Sequence, residues 1–594
     1  MIDRPTKLRI RRYFRRSKQS AENAALDAEK SVEKYFFTRL PRLGNVKRFV
    51  LGWILLVILL GSGVVMQAQA LSPYYQTLKP VKGGIYTEGI YGKFTTANPL
   101  YATGTVDSSV SHLIFSGLLK YNNQNQLVGD LAKDVVADDR GVVYTVTLRD
   151  DIFWQDGKPV SAEDVMFTYM LIQEPDAKSP LFANWSGVKL EQVDAHTIKF
   201  TLPHALASFK QSLTNGIVPK HKLDTIPVTQ LRTAEFNTTK PLGSGPFKWD
   251  SIQISGQTPE TREEQIGLSA NLQYYGGEPN IDKFIIKAIH TKDGLIKQFN
   301  AKEVDAMVGL DKRPNEIGKD TTINEYDFPL NAEVMIFFKT SQEILKDKAI
   351  RQALVKATNK SEIQSGLGYP VATVNGPILS NQVGYASDIT QFSYNINEAN
   401  TTLDQAGWLK GPDGIREKAG QKLQFNLSSQ NNSEYAYIAQ IVQRQWREIG
   451  VDLKVNLEDD TALQSTIALH NYDMLLYGIT IGSDPDVYAY WHSSQADVRA
   501  SSRLNFSELK SPAVDSSLEA GRTRTDPNLR TTKYRPFLST WKDEAPAIAL
   551  YQPRFLYITR GHIYGLDSKT MNTITDRYIN VQHWRVRTEY TTIR

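Results

Sequence analysis

The 594-residue chain contains no cysteine. That excludes a disulfide, a thiolate nucleophile, a thiolate metal site and a lipid-modified cysteine as anchor. Histidine is sparse, nine in all. His196 and His204 stand eight apart around an expected strand, which is not a ligand spacing, and no metal site is expected. The chain also lacks H-E-x-x-H, G-x-x-x-x-G-K-[ST] and G-x-S-x-G. The run Gly243-Ser244-Gly245-Pro246 only imitates a phosphate loop, because Pro246 removes a donor that an anion cradle uses, and a tight turn into a strand is expected instead. Carboxylate pairs such as Asp138/Asp139 and Asp150/Asp151 sit beside turn signals and read as solvated. A triad of distant Ser, His and Asp would leave no local mark, and nothing points to one. No enzymatic activity and no cofactor are expected.

Excess positive charge is missing from most of the chain. Residues 1–48 hold fourteen Lys/Arg against five Asp/Glu, so the other 546 residues carry a net −4. A nucleic-acid partner therefore lacks an electrostatic basis. Long apolar runs are missing too, with one exception. Residues 49–65, FVLGWILLVILLGSGVV, are uncharged, and the next charge is Lys79. At ~1.5 Å per residue this run, extended to residue 71, gives ~26–35 Å, which brackets a ~30 Å hydrocarbon core. Lys34, Arg39, Arg42, Lys47 and Arg48 precede it closely, and only Lys79 follows. The positive-inside rule then places 1–48 in the cytoplasm and the rest outside the cell membrane. A single-pass signal anchor over 49–71 is the favoured reading. The small-x-small pattern Ala68-Gln69-Ala70 leaves cleavage after Ala70 open. Alanines and mixed charges over 17–34 predict a short solvated helix.

Beyond residue 79 two α/β patterns follow one another. Val142, Tyr144, Val146 and Leu148 alternate, as do Ile198, Phe200 and Leu202, which predicts half-buried strands. Asp156-Gly157 marks a turn, and Ser161 with Asp164 predicts a capped helix start. Further on, Leu423, Phe425 and Leu427 alternate. Tyr435, Ile438, Val442, Trp446 and Ile449 then recur at helical spacing, Gly450 ends the stripe, and Val451 to Leu457 alternate again. That is strand–helix–strand with a parallel crossover. A further strand, through Leu475, Tyr477, Ile479 and Ile481, runs into Gly482.

Taken in order, several motifs carry a resemblance: KGGIY at 82–86, NPL at 98–100, IFSGLL at 114–119, GDLA at 129–132, and YTVTLRDDIFWQDGKPVSAEDV at 144–165. GSGPF at 243–247, YYGG at 274–277, RQAL at 351–354, AGW at 406–408, and SDPD at 483–486 with WHSSQ at 491–495 complete it. Over about residues 80–560 the chain resembles the extracellular solute-binding proteins, family 5, of peptide and nickel ABC importers, and looks most like the oligopeptide-binding branch.

The resemblance implies an α/β, two-lobe periplasmic-binding-protein-like clamp of type II, the large peptide-binding subclass with an inserted subdomain. Mapped here, lobe one is 79–330 with the inserted part over about 100–190, lobe two is 331–547, and 548–594 return to lobe one. It implies peptide capture in the interlobe cleft by a monomer, with the ABC permease and ATPase on separate chains. It places Thr103, Gly104, Thr105, Leu181 and Phe182 at the cleft wall. The segment through Tyr477, Ile479 and Ile481 would pair with ligand backbone, and Asp484, Tyr488 and Trp491 would orient the ligand. For Asp484 a turn or helix-start role, and for Trp491 a core role, stay open. Binders of Gram-negative type carry an Asp where Ile481 stands, and Leu181 replaces a common cleft Tyr, so a fixed amino-terminal salt bridge is not implied there. A membrane-anchored peptide sensor, an extracellular hydrolase, and a nickel or heme variant are the alternative uses of such a chain.

Overall fold

The structure is a computed structural model. It describes residues 47–592 except 259–260, 319–320, 501–502 and 568–569, together with Lys30 and Lys34. The basic segment 1–48 and the helix expected over 17–34 lie, those lysines and residues 47–48 apart, outside the described residues. The chain forms two compact units, Met1–Lys79 with Thr588–Arg594, and Pro80–Arg587. In the first, one helix runs over Lys47–Tyr75. Its stretch Phe49–Gln67 is long and apolar enough to cross a bilayer, and none of it is buried. Among the described residues no other helix meets that test.

The second unit is built on two large mixed sheets. The first has seven strands in the order Ile323–Pro329, Arg554–Arg560, Ala306–Val308, Ile85–Tyr91, Lys283–Ile289, Glu263–Ala270 and Phe247–Ser255. A four-stranded antiparallel sheet, Ala132–Ala137, Val143–Leu148, Thr197–Thr201 and Lys189–Gln192, shares its core, with Trp154, Trp185, Phe200, Phe284 and Trp584 buried together. Between its strands Val143–Leu148 and Lys189–Gln192, Ser161 caps the helix Ala162–Gln173 in a reciprocal box with Asp164. At the GSGPF turn a Cβ on Gly243 would meet the Ile114 carbonyl oxygen at 2.0 Å, so only glycine fits.

The second large sheet has six strands, in the order Ala372–Thr373, Ala547–Gln552, Ala332–Phe338, Met474–Thr480, Gln424–Gln430 and Asp452–Glu458. Its central strand AEVMIFF is buried throughout, because helices cover both faces. Val334, Ile336 and Phe338 join a core with Trp446, whereas Met335 and Phe337 join one with Trp491 and Trp541. The expected crossover is present. Gln424–Gln430 pairs in parallel with Asp452–Glu458, and the helix Ser433–Glu448 connects them, buried along Ile438, Val442 and Trp446.

The chain passes twice between the two sheets. Ile323–Pro329 lies in the seven-stranded sheet and Ala332–Phe338 in the six-stranded one, so the first passage is at 330–331. Ala547–Gln552 still belongs to the six-stranded sheet, and Arg554–Arg560 to the other. The return therefore falls at Pro553, which corrects 548; the apolar run 547–551 is equally suited to either core. The inserted part likewise extends past 190, since Thr197–Thr201 pairs with Val143–Leu148. The passages are tied together: Leu330 N donates to the Pro553 carbonyl at 2.9 Å, and Gln552 Nε2 to the Leu330 carbonyl at 2.8 Å.

Candidate functional site: a closed interlobe cavity

A cavity of about 740 Å³ lies between the two sheet-bearing lobes. On one side the helix Thr105–Ile114 presents Ser108, Ser111 and His112 at spacings of three and one, a single helical face. Tyr121, Leu181, Trp185, Ser208 and Gln211 continue that wall, and the returning segment adds Thr573, Asp576 and Tyr578. The facing lobe supplies Ile481, Asp484, Asp486, Tyr488 and Arg522.

Hydrogen bonds join the two walls. Gln211 Nε2 donates to Ser483 Oγ at 3.0 Å, and the Tyr121 hydroxyl shares a proton position with the same oxygen at 2.8 Å. Ser208 Oγ donates to Asp486 Oδ2 at 3.1 Å, and Ala207 N to the Arg522 carbonyl at 2.8 Å. These bonds tie the two walls to each other. Asn331, buried at the first passage, links the lobes from behind. Its N–H donates to the Met571 carbonyl at 2.7 Å, its side chain donates to Asn572 Oδ1 at 2.8 Å, and its carbonyl accepts from Ile481 N and Gly482 N at 2.9 and 3.0 Å.

Charges on the wall are mostly matched. Asp130 pairs with Lys120 at 3.0 Å and also accepts from the Tyr275 hydroxyl. Burial works against the Lys120 charge, but the Asp130 carboxylate outweighs it and holds the ammonium above its ordinary range. Asp484 accepts from both terminal nitrogens of Arg530, and Asp486 from Arg522 at 2.9 Å. The Arg522 guanidinium also lies 4.0 Å from the Tyr488 ring centroid, which in turn stacks on His492. Burial, with Arg577 and Lys120 adding repulsion, lowers His112 to about 4. Among the described residues no three His, Asp or Glu side chains group as metal ligands.

The sequence profile of the bacterial extracellular solute-binding proteins, family 5 Middle, matches residues 126–499. The chain belongs to this family. Family 5 proteins are extracytoplasmic binding proteins of transport systems and not enzymes. The chain is 28% identical over 488 residues to the oligopeptide-binding protein AppA of Bacillus subtilis, covering 80% of this chain and 87% of that protein. It is 24% identical over 508 residues to the probable D,D-dipeptide-binding periplasmic protein DdpA of Escherichia coli, covering 82% and 91%. The solved structure of Bacillus subtilis AppA in complex with a nonapeptide matches with a TM-score of 0.70 at 26% identity, covering 86% and 100%. NikZ of Campylobacter jejuni, in complex with Ni(L-His), matches with 0.72 at 26%, covering 84% and 99%.

In this family 5 fold the residues expected at the cleft fall in four groups. Leu181, Ile481, Asp484 and Tyr488 stand on the cavity wall. Thr103, Gly104 and Thr105 do not: Gly104 caps the helix that Thr105 opens, and the wall is formed by Ala102 before them and Ser108 one turn on. Phe182 is about one-third exposed, 37%, beside the wall residues Ala183 and Asn184, and Tyr477 is half-buried with its ring edge on Phe506. Trp491 and Ile479 are core residues. Trp491 is fully buried, its ring 5.7 Å from both Phe337 and Trp541, and Ile479 is buried in the same cluster. Tyr477 and Ile479 lie on the sheet's covered side, whereas Ile481, one residue past the strand's end at Thr480, also reaches the cavity wall.

The backbone at 480–482 is already engaged. The Thr480 carbonyl accepts from the Tyr490 hydroxyl and the Gly482 carbonyl from Gln382 Nε2, while Asn331 takes the N–H groups of 481 and 482. These four backbone groups therefore already have partners within the protein. Tyr121, Gln211, Asp486, Arg522 and Asp576 were missed in the sequence. Only Asp486 carried a signal, as the second acid of SDPD, and Asp576 lay hidden in the helix-start pattern Thr573-x-x-Asp576.

Proposed function

We propose that this chain captures peptides in its interlobe cavity and delivers them to an ABC permease, with permease and ATPase on separate chains. The observation that carries this reading is the cavity itself, walled by both lobes and closed by hydrogen bonds to Ser483 and Asp486, in a family 5 chain whose relatives are named for peptides. A volume of about 740 Å³ falls within the ~300–1,000 Å³ of clefts that hold drug-sized molecules, which for a peptide means a few residues. Lobe one comprises residues 80–330, and lobe two 331–552, with the chain returning to lobe one from 554. Solute touching both lobes favours the closed form, and the permease reads that form.

The helix over 49–71 holds the protein in the cell membrane as a retained single-pass anchor. Residues 1–48 then lie in the cytoplasm and the solute-binding body outside, as a monomer. Hydropathy, the flanking cations and the lack of a lipidation cysteine support this.

Full-length chain extracted in detergent without denaturation, followed by denaturing mass spectrometry of co-purifying molecules, tests the function. A ladder of short peptides is expected. A single non-peptide solute overturns peptide capture, and an empty protein with no thermal shift in mixed peptides favours the sensor role. An intact amino terminus in the carbonate-washed membrane fraction is expected for the anchor, and a mature protein starting at residue 71 overturns it.

A further inference from the structure

Four carboxylates stand on the cavity wall: Asp130, Asp484, Asp486 and Asp576. Three have a cation, as described above. Asp576 is different. Its Oδ2 accepts from Asn572 N at 2.7 Å and Thr573 N at 3.4 Å, and its Oδ1 from Thr573 Oγ at 3.2 Å. All three donors are neutral, and among the described residues Asp576 forms no ion pair. Yet the residue is only 6% exposed. Burial raises its pKa, with only these neutral hydrogen bonds opposing. The phenol of Tyr121 senses the same charge from the cavity: it is pushed up to about 12, by burial first and then by Asp576 and Asp484. Arg530 pairs with Asp484, so Asp576 is the one carboxylate of the four with no cation partner among the described residues.

Its position is fixed. The next residue, Arg577, donates to Glu88 Oε1 through Nε at 3.1 Å and through Nη2 at 2.5 Å, and to Ser109 Oγ at 2.9 Å. The Tyr578 hydroxyl donates to the same Glu88 oxygen at 2.8 Å. A buried carboxylate held rigidly without a counter-ion is costly, and a cation arriving with the solute removes that cost.

We propose that Asp576 is the receptor for a positively charged group of the solute, an ammonium or guanidinium. In a peptide that group is the amino terminus or a Lys or Arg side chain. The inference rests on the peptide reading and adds a charge requirement at a named residue.

Calorimetric titration of full-length protein in detergent tests it with tetra-alanine, acetyl-tetra-alanine and acetyl-Ala-Ala-Ala-Lys. Wild type is expected to bind tetra-alanine about 10- to 100-fold more tightly than its acetylated form, the span of a charged hydrogen bond. Asp576→Asn, which keeps an acceptor for the turn, is expected to abolish that preference, so that tetra-alanine and acetyl-tetra-alanine bind the variant within about threefold of each other. Recovery of affinity by the lysine peptide identifies a side-chain source of the cation; recovery only by a free amine identifies the terminus. Equal wild-type affinity for all three peptides overturns the inference while the peptide reading stands. Failure of every peptide to bind overturns both. The acetylation arm needs no variant, so a folding defect in Asp576→Asn leaves the test intact.

Discussion

Asp484 Oδ1 and Oδ2 face Arg530 Nη2 and Nη1 at 2.6 and 2.7 Å, a two-pronged ion pair with both side chains nearly buried. Asp484 lies on the cavity wall, but its charge is consumed within its own lobe. Removing one partner of such a pair leaves a buried charge uncompensated, which costs about 3–5 kcal/mol. Arg530→Gln is therefore expected to lower stability by about that amount, read from the urea midpoint. Asp484→Asn with Arg530→Gln is expected to regain at least half of the loss. A double variant no better than the single one would show that the pair is not the cause.

Trp491 and Tyr488 are three residues apart on one short helix, Tyr488–Trp491, yet they face different surroundings. Trp491 fills the core between Phe337 and Trp541, whereas Tyr488 meets the cavity. Trp491→Ala is expected to cost about 3–5 kcal/mol of stability and leave the affinity of the folded fraction unchanged. Tyr488→Ala is expected to do the reverse, with affinity falling about tenfold and stability changing by less than ~1 kcal/mol. Paired denaturation and titration curves separate the two.

These pairs also mark how far sequence reading reached. Local periodicity disclosed the helix Ser433–Glu448 between two parallel strands, and the capped start at Ser161, because each signal lies within a few residues. The family motifs carried the expectation of a clamp with Leu181, Ile481, Asp484 and Tyr488 at its cleft, and those four line the cavity. Whether a given side chain meets the cavity or the core depends on partners far along the chain. Trp491 and Tyr488 look equivalent in sequence, and only the presence of Trp541 and Phe337 behind one of them decides. Tyr121 and Ser483 meet across 362 residues. Asp576 escaped notice because its spacing from Thr573 has a sufficient local explanation, a helix start, and the missing counter-ion is a property of the assembled wall.

Ser483 Oγ takes part in two of the bonds that close the cavity, to Tyr121 and Gln211. At ~0.5–1.5 kcal/mol each, Ser483→Ala should shift the closed-to-open balance by about 1–3 kcal/mol, or roughly 5- to 150-fold in population. Dyes on the two lobes, read without added solute, are expected to report a longer mean separation in the variant. Unchanged distances would mean that closure rests on the Asn331 hub, the Ser208–Asp486 bond and the Ala207–Arg522 contact.

His112 sets an acid limit on stability. It faces the cavity from the helix Thr105–Ile114, beside Arg577, Lys120 and the Tyr578 ring, and burial with those two cations lowers it to about 4. In the unfolded chain a histidine titrates near ~6.5. Between those values the unfolded chain binds a proton that the folded chain refuses, so stability falls as pH drops through this window and the loss is complete near pH 4. Over that span the linkage amounts to about 2–3 kcal/mol, allowing for the partial exposure of the ring. Asp130 and Asp576 work the other way: burial raises both, so their contribution to stability grows as they gain protons. The difference between wild type and His112→Asn isolates the histidine. Its urea midpoints against pH are expected to converge on wild type above pH 7 in slope and to diverge steadily from pH 6.5 to 4, with the variant losing less. Parallel curves across that range would show that His112 is charged in the folded protein.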